Sequence, residues 1–418
     1  MRHVIIGNSI AGAGCIEGIR KISQEDEIIV ISDEPYHIYS RPLISYWLSG
    51  KIPTEKIYYR PLDYYEKNKV KTILGKKAIK VDFENQKVIL EDNQEVEYDK
   101  LLIATGGKPF IPPIKGYPKE NVFTFIKFDD VRKIDKELKT NMETVVVGAG
   151  LSGLKAVEAL IKRGCKVKVV ELANKILGSI LDDFSAKKVK DYLEEKGIEF
   201  YLENSVVEIL GKNKAERIIL QKGEELKADI LIIAIGVIPN IDIFRDTPLN
   251  IRKGILVNER METNINNVYA AGDVVESLDL ITGNQRVIPI LPNAYTQGRI
   301  AGINMAGGEA MYDGSFPINS IGFFDIHIMT GGINNPQENT EILEKWEEDT
   351  KIYKKIYIDD NKITGFIFIN SFDRTGIIVD LMRKKVNISE IKHKILSDSF
   401  GLLDFPREFR REKIFGGV

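Results

Sequence analysis

A glycine-rich segment in the middle of this 418-residue chain has the residue types and spacing to hold a phosphate. It reads VVVGAGLSGL and contains Gly148, Gly150 and Gly153. In such a segment the first glycine makes a tight turn, the second lets the backbone approach a pyrophosphate, and the third lets a helix meet a strand. The N-terminus of that helix supplies the positive end of its dipole. The spacing therefore predicts a dinucleotide site.

An acidic residue stands where such a site needs one. Glu171 follows Gly148 at the end of the next predicted strand, where the motif places its acid. A carboxylate there accepts hydrogen bonds from both ribose hydroxyls and repels a 2′-phosphate, and no arginine follows nearby. We expect NADH rather than NADPH, a preference that Lys175 weakens slightly. The residues predicted to bind NAD are Gly148, Gly150, Leu151, Ser152, Gly153, Glu171 and Gly236.

Two further segments extend the pattern. The N-terminal segment GNSIAG carries Gly7, Ser9 and Gly12, and Asp33 or Glu34 ends the following strand as a ribose acceptor. Alone, that segment is equally an ordinary tight turn, and its pairing with the second segment favours a nucleotide site. The segment NINNVYAAGDVVE contains a Gly-Asp pair whose carboxylate would bind the ribityl chain of a flavin. An isolated Gly-Asp pair is also typical of a turn with a helix N-cap.

The elements that must position these segments repeat along the chain. Each half reads as a strand, a glycine turn, a helix, a second strand, an antiparallel meander and a last buried strand. In the first half these are predicted at 3–6, 11–22, 27–31, 76–103 and 101–104, and in the second at 144–147, 151–163, 166–170, 199–227 and 230–234. Gly7 and Gly148 hold equivalent places in the two halves. An internal repeat of one dinucleotide-binding plan predicts an α/β fold with two nucleotide sites.

The pattern changes after Gly322. Residues 351–370 indicate a hairpin and residues 377–385 a helix, so a C-terminal α+β domain is expected. The predicted domains are 1–110 and 241–321 for the first nucleotide fold, 111–240 for the second, and 322–418 for the C-terminal domain and tail. The tail mixes basic residues with Phe405, Phe409 and Phe415, and is more typical of an interface or a solvated end than of a nucleic-acid site. It could instead help to dock an acidic electron carrier.

Composition narrows the classes of function. Lys and Arg total 59 against 61 Asp and Glu, a net charge of −2 that disfavours bulk binding of nucleic acid or anionic lipid. The two cysteines, Cys15 and Cys165, are too few for a disulfide framework or a protein-held iron–sulfur cluster, and we interpret both as packing residues. The four histidines lack metal-ligand spacing, so no metal site is expected.

Apolar runs are short. The densest, Ile230–Ile238, is well below the ~18 residues of a membrane span and is interrupted by Gly236. The N-terminal apolar run is broken by Asn8 and Ser9, unlike a secretory signal. A cytoplasmic protein without membrane insertion is expected.

Five motifs in this order resemble the FAD-dependent pyridine nucleotide-disulfide oxidoreductase superfamily over roughly residues 1–325. They read GNSIAG, LLIATGG, VVVGAGLSGL, IAIGVIPN and VYAAGDV. The resemblance implies FAD on the first repeat, NAD(P)H on the second as an insertion, and a C-terminal domain that mediates dimerisation or closes over the flavin. The residues implied for FAD are Gly7, Ser9, Ala11, Gly12, Asp33, Glu34, Arg41, Pro42, Ala104, Thr105, Gly106, Gly272 and Asp273.

The segment DEPYHIYSRPLISYW indicates which branch of this superfamily the chain resembles. Arg41 and Pro42 stand where disulfide-reducing members carry a redox cysteine, which resembles the NADH:rubredoxin reductase, ferredoxin reductase and nitrite-reductase FAD-module branch. The resemblance implies that Arg41 faces the FAD pyrophosphate as a bidentate donor. The alternative is an arginine that caps a surface helix.

One residue departs from the family pattern. Members commonly carry Glu near the nicotinamide, in the helix after the second glycine motif, and this chain carries Lys155 there. Lys155 could orient the nicotinamide differently, pair with a carboxylate, or mark a branch that docks a particular partner. Glu158, one turn on, could pair across the helix.

The function that follows is electron transfer from NADH through FAD to a one-electron carrier: rubredoxin, a ferredoxin, or a ferredoxin-like Fe–S subunit. Flavin can exchange two electrons with NADH and single electrons with a metal carrier. One alternative is an NADH oxidase or peroxidase acting on O₂ or peroxide. Another is a flavoprotein subunit or interaction module of a larger redox complex. The sequence leaves open whether the protein forms a homodimer.

Overall fold

The computed structural model describes residues 1–405 and 410. The predicted role of the tail in docking falls mostly on residues 406–409 and 411–418, which lie outside the described residues. The described chain forms two compact units. Unit 1 comprises Met1–Val170 and Asn204–Ser315, and unit 2 comprises Glu171–Glu203 and the described residues from Phe316 onward.

The helices and strands are numbered in chain order. The helices are α1 (Ile10–Ile22), α2 (Ile44–Leu48), α3 (Tyr64–Lys67), α4 (Phe128–Glu137), α5 (Leu151–Lys162), α6 (Asp183–Glu195), α7 (Leu291–Met305) and α8 (Thr375–Arg383). The strands are β1 (Arg2–Ile6), β2 (Glu27–Ser32), β3 (Val70–Leu74), β4 (Ala78–Asp82), β5 (Lys87–Leu90), β6 (Glu95–Glu97), β7 (Lys100–Ile103), β8 (Gly107–Pro109), β9 (Val122–Thr124), β10 (Glu143–Val147), β11 (Lys166–Val170), β12 (Ile198–Tyr201), β13 (Val206–Leu210), β14 (Arg217–Leu220), β15 (Glu225–Lys227), β16 (Ile230–Ile233), β17 (Val237–Pro239), β18 (Ile255–Leu256), β19 (Val268–Ala270), β20 (Val275–Leu278), β21 (Gln285–Arg286), β22 (Ile318–Phe323), β23 (Ile326–Gly332), β24 (Glu341–Glu347), β25 (Ile352–Asp359) and β26 (Lys362–Ile369).

The first nucleotide fold is built on a parallel sheet. Its strand order is β19-β7-β1-β2-β3, and every neighbouring pair is parallel. Ile5 of β1 lies opposite Val30 of β2 and Leu102 of β7, and all three are fully buried. Continuous apolar strands of this kind are expected where helices cover both faces of a sheet. The carboxyl ends of the strands therefore open on one edge, where ligands bind in such folds.

The second nucleotide fold repeats this arrangement inside unit 1. Strands β11, β10, β16 and β9 pair in that order, and all are parallel. The two predicted meanders form three-stranded antiparallel sheets, β4-β5-β6 and β13-β14-β15. The sequence predicts that Ile198–Tyr201 begins the second meander, but this strand lies outside the sheet β13-β14-β15. The predicted α/β class with two Rossmann-like folds is confirmed.

Helices α1 and α7 approach each other so closely that side chains are excluded between them. A Cβ added at Gly298 would lie 2.0 Å from the carbonyl oxygen of Ala11, and one at Gly302 would lie 2.2 Å from that of Cys15. Real Cβ atoms do not come this close to backbone oxygen, so both positions need glycine. The contact fixes α7, which follows the Gly-Asp turn in the chain, against the helix that begins at the first glycine motif.

Unit 2 contains an antiparallel sheet with the order β22-β23-β26-β25-β24. The predicted hairpin is β25-β26, and the predicted helix is α8. Helix α6 packs on this sheet: Asp182, its N-cap, accepts hydrogen bonds from the Tyr353 hydroxyl at 2.9 Å and from Lys355 Nζ at 2.7 Å. The ring of Phe184 lies 5.1 Å from that of Tyr353. The predicted C-terminal α+β domain is confirmed.

The α1–α7 contact generates a stability prediction. Gly302→Val should lower the free energy of unfolding by about 3 kcal/mol or more, because its side chain would collide with the α1 backbone. Thr296→Val places the same side chain at an exposed position of α7 and should stay within about 0.5 kcal/mol of the wild type. Urea unfolding followed by circular dichroism measures both. Equal stabilities for the two variants would contradict the packing account.

Candidate functional site

Both glycine turns join a parallel strand to a helix by close backbone contact. Gly7 has a φ of +128°, and a Cβ there would lie 2.1 Å from the carbonyl oxygen of Ala104. Gly148 has a φ of +105°, and a Cβ there would lie 2.5 Å from the carbonyl oxygen of Ala234. Each turn thus passes directly over the end of the neighbouring buried strand, β7 or β16.

The third glycine of each motif lies against the first. A Cβ on Gly12 would lie 2.4 Å from the carbonyl oxygen of Gly7, and one on Gly153 would lie 2.0 Å from that of Gly148. These contacts agree with the sequence-based role of the third glycine, which is to let the helix approach the strand.

The middle position of the second motif is different. Gly150 has an ordinary φ of −80°, and a Cβ there would meet nothing within 4 Å among the described residues. The protein's own packing therefore does not require glycine, and a side chain at this position would fill open space. Gly150 is also the N-cap of α5 and has no side chain to satisfy the first N–H groups of Leu151 and Ser152. An open cradle of backbone donors fits a pyrophosphate.

The N-terminus of α1 offers similar donors. Its N-cap, Ser9, has extended backbone and makes no capping hydrogen bond with its side chain, and Ala11 is buried in the first turn. Asn8, just before it, is held by two contacts: its amide donates to the carbonyl oxygen of Tyr36 at 3.0 Å, and its side-chain oxygen accepts from the Tyr65 hydroxyl at 2.6 Å.

The two acids after β2 are both engaged. Asp33 is exposed and accepts from Lys127 Nζ at 2.6 Å. Glu34 is buried; one carboxylate oxygen accepts from the Tyr39 hydroxyl at 2.6 Å and the other from Arg41 Nη2 at 2.9 Å. A carboxylate oxygen can accept more than one hydrogen bond, so Glu34 keeps capacity for a ribose hydroxyl.

Arg41 begins a short 3₁₀ segment in which Pro42 is the second residue. Its Nη2 donates to Glu34, and its Nη1 donates to the carbonyl oxygen of Ile126 at 3.2 Å. Burial alone would lower the pKa of Arg41, but the negative potential of Tyr39, Glu34 and Asp273 raises it above its ordinary value. The guanidinium therefore keeps its positive charge, and it lies in the first nucleotide fold.

Asp273 is a half-buried carboxylate. Burial raises its pKa, against the opposing charge of Arg41. Within residues 1–405 and 410 no protein group donates a hydrogen bond to it. A carboxylate in such a position fits a ligand that brings hydroxyl donors, as the ribityl chain of a flavin does.

Gln297, which no sequence motif indicates, holds the turn at Gly272. Its side-chain oxygen accepts from the backbone N–H of Gly272 at 2.9 Å, and its amide donates to the Ser277 hydroxyl at 2.9 Å. Gln297 is fully buried on α7. A glutamine inside a helix carries no local signal of this role, because both of its partners belong to an earlier segment of the chain.

The remaining predicted residues lie at the ends of the last strands. Thr105 follows β7 and donates its hydroxyl proton to the carbonyl oxygen of Asn240 at 2.8 Å, while the carbonyl of Gly106 accepts from the Asn240 N–H at 2.8 Å. Gly236 follows β16, and its carbonyl accepts from the N–H of Phe110 at 3.1 Å. Glu171 directly follows β11, and one of its carboxylate oxygens accepts from the Ala173 N–H at 2.9 Å.

Lys155 pairs with a carboxylate, one of the three roles left open for it. Its Nζ donates to one oxygen of Glu158, and Lys162 Nζ donates to the other at 2.6 Å. Burial alone would raise the pKa of Glu158, but these two hydrogen bonds hold it below its ordinary value. Lys155 Nζ also lies 4.5 Å from the centre of the Tyr46 ring, a cation–π contact.

Both cysteines of the sequence are enclosed. Cys15 is fully buried on α1, where its Sγ lies 3.6 Å from the Met305 sulfur, and burial raises its pKa far above the ordinary value. Cys165 is 6% exposed, and burial raises its pKa also. Neither thiol has the depressed pKa and access that redox thiols need. Among the described residues no cluster of His, Cys, Asp and Glu could hold a metal ion, and no helix has the length and apolar character to cross a membrane.

Comparison with known families decides the assignment. Residues 1–298 match the model of the pyridine nucleotide-disulphide oxidoreductase family, and residues 317–386 match the rubredoxin NAD⁺ reductase C-terminal domain. The chain belongs to the pyridine nucleotide-disulphide oxidoreductase family. It is therefore an NAD(P)H oxidoreductase of a family that uses FAD and NADH, as the five motifs predicted.

Individual relatives differ in size. The chain is 31% identical over 401 residues to the NADH-dependent phenylglyoxylate dehydrogenase subunit epsilon of Aromatoleum evansii, covering 95% of each. It is 32% identical over 397 residues to the assimilatory nitrate reductase electron transfer subunit of Bacillus subtilis, covering 94% of this chain but only 51% of that protein. The crystal structure of NADH:rubredoxin oxidoreductase from Clostridium acetobutylicum superposes with a TM-score of 0.76 at 27% identity, covering 94% of this chain and 97% of that one.

The charge of Arg41 generates a binding prediction. Arg41→Ala should weaken FAD binding by roughly tenfold to a hundredfold, since a charge-assisted hydrogen bond contributes about 1.5–3 kcal/mol. Arg132→Ala removes an exposed arginine of α4 that donates to the Tyr36 hydroxyl, and should leave FAD affinity unchanged. FAD retained after dialysis, measured by absorption, tests both. Full retention by Arg41→Ala would refute the assignment of Arg41 to the flavin.

Proposed function

We propose that this protein takes electrons from NADH on the second nucleotide fold, through FAD on the first, and delivers them to a one-electron carrier. FAD, when bound, supplies the exchange between a two-electron donor and a one-electron acceptor. The observation that carries the proposal is that both cysteines, Cys15 and Cys165, are buried in a chain that has two nucleotide folds. With both thiols buried, electrons leave from the flavin itself.

The residues of the chain bind and orient the two nucleotides. The backbone donors after Gly150 hold the NADH pyrophosphate, and Glu171 accepts from the hydroxyls of the adenine ribose. On the FAD side, Arg41 donates to the pyrophosphate, Glu34 accepts from the ribose, and Asp273 accepts from the ribityl chain. Each assignment matches a donor or acceptor with the opposite character of the ligand atom.

The carrier is a rubredoxin, a ferredoxin or a ferredoxin-like subunit. The match of residues 317–386 to the rubredoxin NAD⁺ reductase C-terminal domain supports an iron–sulfur partner. A place within a larger complex is a second candidate, and it is favoured by the similarity to the subunit epsilon over 95% of both chains. In both candidates the electrons pass to a metal centre that these 418 residues do not hold, because their two cysteines are too few for an iron–sulfur cluster.

A panel of acceptors tests the proposal. The FAD-loaded protein, with excess NADH under anaerobic conditions, should reduce oxidised rubredoxin or an oxidised ferredoxin faster than it consumes O₂ in an aerated parallel. Gly150→Glu is the control: its side chain would fill the pyrophosphate space and should abolish reduction of every acceptor while FAD stays bound. Oxygen or peroxide consumption faster than reduction of any carrier would establish the oxidase or peroxidase alternative instead.

The preference for NADH has its own prediction. Glu171→Arg should move the ratio of kcat/KM for NADH over NADPH at least about tenfold toward NADPH, about 1.4 kcal/mol, because an arginine attracts the 2′-phosphate that a glutamate repels. Glu199→Arg makes the same change of charge at an exposed position of β12 and should leave the ratio unaltered. Steady-state kinetics with both nucleotides measures the effect. An unchanged ratio for Glu171→Arg would remove Glu171 from the ribose site.

A further inference from the structure

Lys175 is the basic residue nearest in the sequence to Glu171 on its C-terminal side. It lies in the connection of residues 171–182 between β11 and α6, all of which are described and form neither helix nor strand. The proposed function assigns Glu171, at the start of this connection, to the adenine ribose of NADH. Four residues of chain span at most about 14 Å, so a lysine at position 175 is near enough to attract a 2′-phosphate on that ribose.

The Lys175 side chain is folded back within its own connection. A Cβ added at Gly178 would lie 3.6 Å from Cγ and 3.7 Å from Cε of Lys175, so the aliphatic stem packs over this glycine. The Nζ donates to a carboxylate oxygen of Asp183, the first residue of α6, at 2.8 Å. The Lys175 side chain is only 23% exposed. Its ammonium is therefore paired with the start of α6.

Asp183 has a defined position because its neighbour, Asp182, is anchored. The Asp182 carboxylate accepts from the N–H of Ser185 at 2.8 Å, as the N-cap of α6, and also from Tyr353 and Lys355 of β25. Burial alone would raise the pKa of Asp182, but the hydrogen bonds from Lys355 and Ser185 hold it below its ordinary value. Asp182 therefore stays ionised and ties the first turn of α6 to the antiparallel sheet of unit 2.

The glycine beneath Lys175 is anchored as well. The side-chain amide of Asn334, just after β23, donates to the carbonyl oxygen of Gly178 at 3.2 Å. Leu177, the residue before this glycine, is 1% exposed and has a φ of +51°. That conformation is unfavourable for leucine and persists only where surrounding contacts hold it. The stem and the ammonium of Lys175 thus both rest on fixed parts of unit 2.

We propose that Asp183 favours NADH over NADPH by holding Lys175, so that the lysine ammonium is not offered to a 2′-phosphate. The inference rests on the proposed function, which assigns Glu171 to the ribose. In this account Asp183 and Lys175 determine nucleotide specificity together, and Asp182 is a positioning residue that acts through α6.

The exposure of Asp183 allows this pair to be broken without unfolding the protein. The Asp183 side chain is 88% exposed, and exposed ion pairs contribute little to the free energy of unfolding. Removal of its carboxylate releases the positive charge of Lys175. A phosphate monoester carries about two negative charges, so the released charge should favour a nucleotide with a 2′-phosphate over one without it.

Binding measurements test this without electron transfer. The probes are ADP-ribose and 2′-phospho-ADP-ribose, which carry the adenine ribose but no nicotinamide, each titrated into the FAD-loaded protein by calorimetry. The ratio of Kd for ADP-ribose to Kd for the 2′-phospho form should rise at least about threefold in Asp183→Asn at low ionic strength. Asp191→Asn is the matched control, because Asp191 pairs with Lys187 at 2.7 Å and lies roughly 12 Å further along α6. It should leave the ratio close to that of the wild type.

A double variant shows whether the effect passes through Lys175. In the Lys175→Met background, Asp183→Asn should leave the ratio nearly unchanged, because no ammonium remains to be released. An equal rise in both backgrounds would assign the effect to the charge of Asp183 alone and would overturn the inference. A ratio unaltered by Asp183→Asn in the otherwise wild-type protein would overturn it too. If the wild-type protein binds neither probe, the proposed function fails instead.

Discussion

The close approach of α1 to α7 is the constraint on which the first nucleotide fold depends. In the sequence, α1 precedes the second nucleotide fold and α7 follows it. Glycines at the contact between the two helices let their backbones touch. Gly298 and Gly302 lie directly on the carbonyl groups of Ala11 and Cys15. The same contact encloses Cys15, whose Sγ lies 3.6 Å from the Met305 sulfur on α7.

This contact brings donors and acceptors from distant parts of the sequence to one place. Gln297 on α7 holds the Gly272 turn, which lies next to Ala11 in the first turn of α1. The groups that result have complementary chemistry: N–H groups and Arg41 suit phosphate oxygens, whereas Asp273 and Glu34 suit hydroxyl groups. Away from bulk water each group binds strongly when it is satisfied and costs free energy when it is not. These groups together fit a ligand that carries both phosphates and hydroxyls.

Much of this could be predicted from the sequence because the decisive signals are local. The strand, turn and helix around Gly148 are fixed by residues within about twenty positions, and the apolar runs of β1 and β16 indicate buried parallel strands. The hairpin β25-β26 was equally clear from its two alternating runs and short turn.

Other parts depend on contacts that a single sequence does not reveal. Helix α7 contains Gly298 and Gly302, and glycine is a poor helix former in isolation, so packing against α1 must compensate for both. The contact between Lys155 and Tyr46 joins two helices that are distant in the sequence. Helix α6 is a different case, because its N-cap Asp182 accepts from the N–H of Ser185 and so carries a local signal that the motif-based predictions did not include.

The central claim is that electrons pass through the flavin alone, with no thiol pair between donor and acceptor. An anaerobic titration of the FAD-loaded protein with NADH, following the absorption of oxidised flavin, tests it most directly. The account predicts rapid bleaching that is complete at one NADH per FAD, since a flavin stores two electrons. An endpoint at two NADH per FAD would reveal a second two-electron centre, and an absence of bleaching would deny NADH as the donor; either result would contradict the account.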